Sequence, residues 1–366
     1  MKLDRLKLFD FRNYETLDAS FVPGVNLLVG ENAQGKTNLL EAIFYLSAAK
    51  SFRTAHPQEM IRFGAEFFDV QAEISSQQRQ QSLRAVVFAE KRPRQLFVGG
   101  VRQRSAAALS GLLPCVLFCP EELQVLKNGA QGRRRLLDNA LCQLRPVYAD
   151  TLAEYHRLLE QKTRILKDQI PSMLDTLPDF NLRMAQTGAV LIEYRANYLR
   201  DLEKEAQQYH REFSGGKERL HLAYQTVKTV TDPFASRDTI LQQLLQHQKA
   251  HERAELESGQ CLSGPHKDDF DASLDEKSIK NYASQGQTRT ASISLKLAER
   301  ALLRRDYGEE PLLLLDDVLS ELDAKRQDFV LNQIRTGQVF ITCCETDRLT
   351  ALGKTVFVKN GQIAEG

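Results

Sequence analysis

The segment Gly30-Glu31-Asn32-Ala33-Gln34-Gly35-Lys36-Thr37 has the residue types and spacing of a phosphate-binding loop, G-x-x-x-x-G-K-[ST]. An apolar, strand-like run over 25–29 precedes it, and a helix-periodic run over 38–46 follows it. Strand, glycine loop and helix in this order direct backbone N–H groups and a helix N-terminus at a polyphosphate. Lys36 would neutralise the β- and γ-phosphates, and the Thr37 hydroxyl would hold Mg²⁺. The sequence therefore predicts a nucleoside triphosphate site.

An acidic pair, Asp316-Asp317, directly follows the aliphatic run Leu312-Leu313-Leu314-Leu315. Such a run is typical of a parallel strand buried on both faces, and α/β sheets bind ligands at the carboxyl ends of these strands. There Asp316 can hold Mg²⁺ beside Thr37, directly or through water, and Asp317 can orient or deprotonate the attacking water. Many strands simply end in Asp, so the pair indicates a Walker B role only together with the intact phosphate loop.

The elements that must position these motifs form an α/β pattern drawn from both ends of the chain. We predict strands over 3–9, 25–29, 70–74, 83–88, 95–98, 116–118, 270–279, 311–315, 339–343 and 356–358. Three-to-four spacing of apolar residues predicts helices over 121–142, 146–168, 180–212, 236–257 and 288–305. One long coiled coil is excluded because the central region is interrupted by Pro146, Pro171, Pro178 and Pro233.

The composition of the 366 residues, 42% hydrophobic and 27% charged, is ordinary for a globular protein. The sequence contains no run of about 20 apolar residues, so it predicts no membrane span. The first residues are charged where a signal peptide needs an apolar stretch, so we expect a cytoplasmic protein without a membrane partner. A net charge of +1 gives no global attraction to polyanions, so DNA would need a local basic patch.

Two further loops accompany the phosphate loop and the acidic pair. Ser284-Gln285-Gly286-Gln287 stands directly before the predicted helix 288–305, where it can bind an anion or simply cap the helix. Ser320-Glu321-Leu322-Asp323 closely follows Asp317. In this order the motifs resemble those of the ABC-type ATPases. The resemblance implies that the first loop binds the γ-phosphate of the opposite subunit and that the second meets the partner's phosphate loop.

Several other strings extend this likeness over essentially the whole chain: Phe11-Arg12-Asn13-Tyr14, Ser51-Phe52-Arg53-Thr54, Phe118–Leu123, Arg133–Asp138, Gly264-Pro265-His266-Lys267-Asp268-Asp269 and Ser284–Arg289. Together they resemble the bacterial RecF family of SMC-like ATPases. The resemblance implies an α/β ABC-type P-loop ATPase head with an inserted, mainly helical second lobe. We expect residues 1–118 and 303–366 in the ATPase lobe, and residues 119–302 in the helical lobe that carries the S-x-G-Q loop.

The resemblance also implies a function and a set of site residues. The family dimerises on DNA with ATP, hydrolyses ATP slowly, and helps to load RecA at single-strand gaps and to induce the SOS response, with RecR and RecO as partners. It implies Asp317 and Lys36 as catalytic residues, with Mg²⁺ held by Thr37 and Asp316. The implied ATP contacts are Arg12, Gly30, Asn32, Gly35, Lys36, Thr37, Asn38, Ser284, Gly286, Gln287 and Asp323.

This chain departs from the ABC pattern at several positions. Asp317 stands where most ABC ATPases have Glu, and its shorter side chain would hold the water less well, which suggests slow turnover. Cys343-Cys344-Glu345 offers no switch histidine after the strand 339–342. Gln285 replaces the Gly usual in transporters. Lys267 stands where we expect Arg, which keeps the charge but loses bidentate geometry.

Two basic clusters are candidates for DNA contact. Lys91-Arg92-Pro93-Arg94, Arg102 and Arg104 flank the turn Gly99-Gly100, which predicts a hairpin whose arginines contact phosphates without reading bases. Arg133, Arg134 and Arg135 form the second cluster. Either cluster can also be a solvated face, and one arginine of the triplet can pair with Asp138 on the same helix. Similarly, His266 is either a structural or a catalytic histidine.

Two other classes of protein share a phosphate loop. A P-loop kinase would need an acceptor site and would leave the loops 284–287 and 320–323 without a role. The nucleotide-binding subunit of a transporter would need a membrane-protein partner and would leave the long insert unexplained. An ATP-dependent DNA-binding clamp accounts for all of the motifs.

Overall fold

The computed structural model describes residues 1–90, 92–344 and 350–365. The chain forms two compact units. Unit 1 comprises Met1–Gln124 and Ser292–Gly366, and unit 2 comprises Val125–Ala291. The sequence pattern also indicated an insert within a core built from both ends of the chain, and the two units agree with it. The limits of the lobes at 118/119 and 302/303 stay a prediction.

The strands of the described residues, numbered in chain order, are β1 (Lys2–Phe11), β2 (Tyr14–Ser20), β3 (Val25–Val29), β4 (Phe67–Ser75), β5 (Gln80–Phe88), β6 (Gln95–Val98), β7 (Val101–Gln103), β8 (Cys115–Phe118), β9 (Leu220–Gln225), β10 (Asp269–Leu274), β11 (Lys277–Ser278), β12 (Leu312–Leu315), β13 (Val339–Cys343), β14 (Gly353–Lys359) and β15 (Gln362–Glu365). The α-helices, numbered likewise, are α1 (Lys36–Ala48), α2 (Pro120–Leu123), α3 (Ala130–Leu144), α4 (Pro146–Asp168), α5 (Pro171–Leu174), α6 (Leu177–Ser214), α7 (Arg237–Ser258), α8 (Ile279–Tyr282), α9 (Gln285–Tyr307) and α10 (Ala324–Gln333).

Unit 1 contains two sheets with helix α1 packed against both. The mainly parallel sheet has the order β15-β14-β3-β13-β12-β8, and the antiparallel sheet has the order β2-β1-β4-β5-β6-β7. Apolar residues of α1 and of both sheets share one buried cluster. Leu312 and Leu314 of β12 belong to that cluster, and Leu313 and Leu315, which alternate with them along the strand, are also fully buried. This burial on both faces explains the unbroken aliphatic run.

Unit 2 is mainly helical, with a small sheet in the order β11-β10-β9. Pro146, Pro171 and Pro178 lie in the first turns of α4, α5 and α6, where a missing N–H costs nothing. The prolines therefore separate the helices as predicted. Gly215, with a φ of 65°, ends α6 in the left-handed conformation that favours glycine.

Two elements differ from the sequence prediction. The helix predicted over 121–142 is broken into α2 and α3, and Gly129 caps the start of α3. The strand predicted over 270–279 is the hairpin β10–β11, because Asp275 and Glu276 both have positive φ, at 47° and 69°. Two positive φ values in a two-residue loop match the twist of a hairpin, but Asp-Glu lacks the glycine that normally signals such a turn. Strands β2, β9 and β15 were not predicted.

No helix of residues 1–90, 92–344 and 350–365 is both long and apolar enough to cross a membrane.

Truncation of Leu314 to alanine should destabilise unit 1, because this fully buried side chain belongs to the cluster that joins both sheets to α1. We expect Leu314→Ala to lower the free energy of unfolding by about 2–5 kcal/mol in urea titrations. Leu352→Ala removes the same atoms from a side chain that is 39% exposed and should change stability by about 0.5 kcal/mol or less. Equal effects of the two substitutions would contradict this assignment of the core.

Candidate nucleotide-binding site

The phosphate loop connects β3 to α1 and depends on its two glycines. A Cβ at Gly30 would lie 2.2 Å from the carbonyl oxygen of Val358 on the neighbouring strand. Gly35 has a φ of 121°, and a Cβ there would lie within 3.0 Å of Asn13 and Tyr14. Both positions therefore exclude a side chain, the first by close approach of another backbone and the second also by conformation.

Two turns hold the loop from outside. From the β1–β2 turn, Asn13 Nδ2 donates to the carbonyl oxygen of Gln34 at 2.9 Å, and the Tyr14 hydroxyl donates to that of Gly35 at 3.0 Å. From the β14–β15 turn, the backbone N–H of Asn360 donates to Gln34 Oε1 at 2.7 Å, and that of Gly361 donates to the Gln34 carbonyl at 3.1 Å. The sequence pointed to Asn13 and Tyr14 only through resemblance. The dipeptide Asn360-Gly361 is a local signal of the second turn, which sequence reasoning missed.

Lys36 is the first residue of α1, and only 8% of it is exposed. Its Nζ donates to the carbonyl oxygens of Gly30 at 2.5 Å and Glu31 at 2.8 Å, and lies 3.6 Å from Cys344 Sγ. Cys344 Sγ in turn lies 3.2 Å from Asn32 Oδ1. The ammonium group is thus held inside the loop, where an incoming phosphate could replace the carbonyl oxygens as its partners.

The acidic pair meets the phosphate loop across the sheet. Strand β13 lies between β3 and β12, and the Thr37 hydroxyl donates to Asp316 Oδ1 at 2.8 Å. Burial raises the pKa of the Asp316 carboxyl above its ordinary value, hydrogen bonds from Thr37 and Thr342 oppose the shift, and Asp317 adds to it. A hydroxyl and a carboxylate beside a phosphate loop are oxygen ligands that suit Mg²⁺, and the ion would keep the carboxylate charged.

Asp317 projects into solvent from a left-handed backbone with a φ of 50°. Its N–H donates to Thr342 Oγ1 at 2.8 Å, and Ser320 Oγ lies 2.7 Å from its carbonyl oxygen and 3.1 Å from Oδ1. An exposed carboxylate fixed in this way is available to a water molecule. Asp323, by contrast, caps α10 by accepting from the Arg326 N–H at 3.0 Å, and it forms an ion pair with the Arg326 side chain.

A fully buried carboxylate on α1, Glu41, organises the two arginines near the loop. Arg12 Nε and Nη2 each donate to Glu41 at 2.8 Å, and its Nη1 donates to the Glu59 carbonyl at 2.7 Å. Arg53 lies 3.7 Å from Glu41 and donates to Asn38 Oδ1 at 2.8 Å, while Asn38 Nδ2 donates to Asn13. Sequence reasoning missed Glu41, although a carboxylate among Leu39, Leu40, Ala42 and Ile43 was a signal of a buried ion pair. Nucleotide contact by Arg12 and Asn38 stays a prediction.

The loop Ser284–Gln287 lies in unit 2 and forms a capping box at the start of α9. Ser284 Oγ accepts from the Gln287 N–H at 3.2 Å, and Gln287 Oε1 accepts from the Ser284 N–H at 2.9 Å. Gln287 Nε2 also donates to Glu218 at 2.8 Å. Ser284 and Gln285 are exposed, and Gly286 follows them in the first turn. The loop thus caps its helix and still presents a helix N-terminus to solvent.

The string Gly264–Asp269 binds residues from several elements of unit 2. Arg195 Nη1 donates to the Pro265 carbonyl at 2.7 Å and lies 3.5 Å from Asp268, while its other nitrogens bind Asp138. His266 Nε2 lies 3.1 Å from the Cys261 carbonyl, so it carries the ring hydrogen, and Nδ1 accepts from the Tyr155 hydroxyl at 2.6 Å. Burial lowers the pKa of His266 to about 4. These partners are those of a structural histidine, whereas Lys267 is exposed.

The basic clusters have different surroundings. The hairpin β6–β7 turns at Gly99 and Gly100 as predicted, and it lies next to or carries the exposed side chains of Arg92, Arg94, Arg102 and Arg104. Arg94 donates to the Ala49 carbonyl at 2.6 Å, and Arg92 lies over Phe88 and pairs with Glu90. Lys91 lies outside the described residues, as does Glu345 beyond β13.

The prediction of DNA contact by Arg133 is wrong. Arg133 is 4% exposed, its Nε and Nη2 bind Asp269 at 2.7 and 2.8 Å, and Nη1 donates to carbonyls of the preceding loop. The suggested pair with Asp138 is also replaced, since Asp138 binds Arg195. Arg134 is half-buried and donates to the Asp268 carbonyl at 2.6 Å. DNA contact by Arg134 stays a prediction.

Three features together define the class of ABC-type ATPase heads. They are a phosphate loop on one parallel strand, an acidic pair two strands away in the same sheet, and an adjoining antiparallel sheet. The family model of the RecF/RecN/SMC N-terminal domain matches residues 2–363. The chain belongs to the bacterial RecF family within this class. The predicted fold, an α/β ABC-type head with an inserted helical lobe, is thereby confirmed.

Individual relatives carry the assignment. The chain is 36% identical to the DNA replication and repair protein RecF of Agathobacter rectalis, covering 99% of both chains. It is 40% identical to that of Symbiobacterium thermophilum, covering 95% of this chain and 93% of the relative. A solved structure of the recombination mediator protein RecF-ATPrS in the RecFOR pathway is 30% identical, with a TM-score of 0.91 over 100% of this chain and 98% of the other. An Smc head domain from Pyrococcus furiosus, 14% identical with a TM-score of 0.55 over 100% and 96%, shares the fold.

The lowered pKa of His266 makes the stability of unit 2 depend on pH. An unfolded histidine titrates near 6.5, so between pH 4 and 6.5 the unfolded chain binds more protons than the folded one. Stability from the neutral imidazole is thus fully present above pH 6.5 and falls as the pH drops towards 4, by at most about 1.4 kcal/mol per pH unit. Chemical unfolding at several pH values should show a smaller decline in His266→Gln than in the wild type. The exposed His56→Gln serves as control, and identical pH profiles for wild type and His266→Gln would refute the assignment.

Proposed function

We propose that this protein is an ATP-dependent DNA-binding clamp of recombinational gap repair. The observation that carries the proposal is the 2.8 Å hydrogen bond from Thr37 of the phosphate loop to Asp316 of the acidic pair. It brings a hydroxyl, a carboxylate and the Lys36 ammonium to one end of the parallel sheet, as a site for Mg²⁺ and ATP requires. The relatives support the proposal, since they are DNA replication and repair proteins and one was solved as RecF-ATP in the RecFOR pathway.

Each residue of the site has a defined task in this proposal. The backbone N–H groups of the loop and the Lys36 ammonium bind the phosphates, while Thr37 and Asp316 hold the metal. Bound Mg²⁺ would neutralise charge that develops on the phosphates. The exposed carboxylate of Asp317 orients the attacking water and accepts its proton. Its side chain is one methylene shorter than the usual glutamate, so we propose that hydrolysis is slow. We also propose that DNA stimulates it.

Dimerisation would use surfaces that one subunit presents to the other. Ser284, Gly286 and Gln287 form an exposed or half-buried helix N-terminus, which attracts the γ-phosphate held by the partner. Asp323 would meet the partner's phosphate loop after exchanging its contacts with Arg326. ATP would then join two subunits, and slow hydrolysis would release them.

DNA would bind through exposed arginines that contact phosphates without reading bases. Arg92, Arg94, Arg102 and Arg104 lie on or beside one hairpin, and Arg134 is a further candidate. Gapped, duplex and junction DNA all present the phosphates that such a patch binds. We propose RecR and RecO as partners and RecA loading with SOS induction as the outcome, which family membership supports.

ATP should convert the monomer into a dimer that Ser284→Arg cannot form, because a long cationic side chain would fill the proposed γ-phosphate contact. Light scattering without nucleotide, with ATP and Mg²⁺, and with ADP measures the molar mass, and a fluorescent ATP analogue measures binding. Lys36→Ala should lose ATP binding, whereas Ser284→Arg should retain it and remain monomeric.

The matched control is Ser172→Arg, which places the same side chain at another exposed serine of unit 2 and should dimerise like the wild type. Normal ATP-dependent dimerisation of Ser284→Arg would contradict the sandwich. A wild type that stays monomeric under all conditions, also with a gapped duplex present, would favour a phosphoryl-transfer enzyme instead.

The hairpin arginines should contribute to DNA affinity by neutralising phosphates. The double variant Arg102→Gln/Arg104→Gln should bind a gapped duplex more weakly, and the slope of log affinity against log salt should become shallower by about 0.9 for each duplex phosphate that is no longer neutralised. Fluorescence anisotropy at several salt concentrations measures both quantities. Arg164→Gln/Arg253→Gln removes two exposed arginines from helices of unit 2 as control. If both double variants weaken binding equally, the hairpin is not a specific contact surface.

A further inference from the structure

One buried hydroxyl joins both acidic residues of the site. Thr342 lies on β13, directly between the strand of the phosphate loop and the strand of the acidic pair, and is 3% exposed. Its Oγ1 accepts the backbone N–H of Asp317 at 2.8 Å and lies 3.1 Å from Asp316 Oδ1. The same Asp316 oxygen accepts from Thr37 at 2.8 Å. Thr342 therefore contacts the two residues proposed to hold the metal and the water.

The direction of each hydrogen bond follows from chemistry. A backbone N–H can only donate, so the Thr342 oxygen accepts from Asp317. The single hydroxyl proton of Thr342 then goes to Asp316 Oδ1, because a charged carboxylate is a stronger acceptor than the Leu315 carbonyl at 3.5 Å. The Thr342 hydroxyl thus acts both as an acceptor and as a donor within the site.

Asp317 needs such a partner. Its φ of 50° lies in the left-handed region, which is unfavourable for a residue with a Cβ and persists only when its surroundings hold it. Within residues 1–90, 92–344 and 350–365, the other hydrogen bonds to Asp317 come from Ser320, which follows in the same loop and can move with it. Thr342 instead lies on β13, which pairs with β3 along its whole length. This contact therefore ties the Asp317 backbone to the sheet.

We propose that Thr342 is a positioning residue for ATP hydrolysis, which fixes the Asp317 backbone so that its carboxylate faces the bound nucleotide. Thr342 acts through Asp316 and Asp317, the two residues that it contacts in the proposed site. This inference rests on the proposed ATPase function. Strand β13, between the phosphate loop and the acidic pair, would thereby support hydrolysis through Thr342. The sequence had offered no residue for such a task, because it has no switch histidine.

Two substitutions separate the hydroxyl from the shape of the side chain. Thr342→Val keeps the branched shape but leaves the Asp317 N–H without an acceptor, and Thr342→Ser keeps the hydroxyl. We expect Thr342→Val to hydrolyse ATP about tenfold or more slowly in single turnovers, as the loss of one hydrogen bond at the transition state implies. Its affinity for a fluorescent ATP analogue should stay within about threefold of the wild type. Thr342→Ser should recover most of the rate.

Thr163→Val is the control, since it removes a partly buried hydroxyl from helix α4 of unit 2 and should leave hydrolysis unchanged. Thermal unfolding of each variant reports whether it folds. Wild-type hydrolysis by Thr342→Val overturns the inference, and so does a Thr342→Ser variant as slow as Thr342→Val or a parallel loss of ATP affinity. A wild type that neither binds nor hydrolyses ATP refutes the proposed function itself, which distinguishes the two failures.

Discussion

The hydrogen bond between Thr37 and Asp316 connects residues 279 positions apart, and the rest of unit 1 is arranged so that it can form. It requires β3 and β12 to flank β13 in a fixed register, which the pairs Ile341–Leu27 and Leu315–Ile341 provide. Helix α1 must also start at the edge of the sheet, which its burial between two sheets enforces. Hydrophobic packing thus determines the relative position of two polar groups.

Unit 2 also contains buried charges that satisfy one another. Arg195 is 2% exposed and binds Asp138 while lying 3.5 Å from Asp268, and Lys162 binds Glu255 at 2.6 Å in a fully buried pair. Removing one partner of such a pair leaves an uncompensated charge, so these residues restrict how the helices can pack. The string Gly264–Asp269 is central because its side chains and carbonyls bind residues from three helices and a strand.

The phosphate loop, the acidic pair and most strands could be predicted because each is encoded by neighbouring residues. Glu41 as the partner of Arg12, and Asn360 as a support of the loop, could not, since their partners lie far away in the sequence. Arg133 shows the same limit: a run of three arginines signals charge, but only the fold decides that one of them is buried against Asp269. The hairpin at Asp275 and Glu276 escaped because tertiary contacts impose positive φ on residues that seldom adopt it.

The support of Gln34 by Asn360, 326 positions later, has a consequence for the order of events during synthesis. A ribosome releases the phosphate loop long before β13 and β14, which flank β3 on both sides. Residues 125–291 are contiguous, so unit 2 can become compact before unit 1 has its complete sheet. A nascent chain therefore exposes a phosphate loop that lacks its neighbouring strands until β13 and β14 have been released.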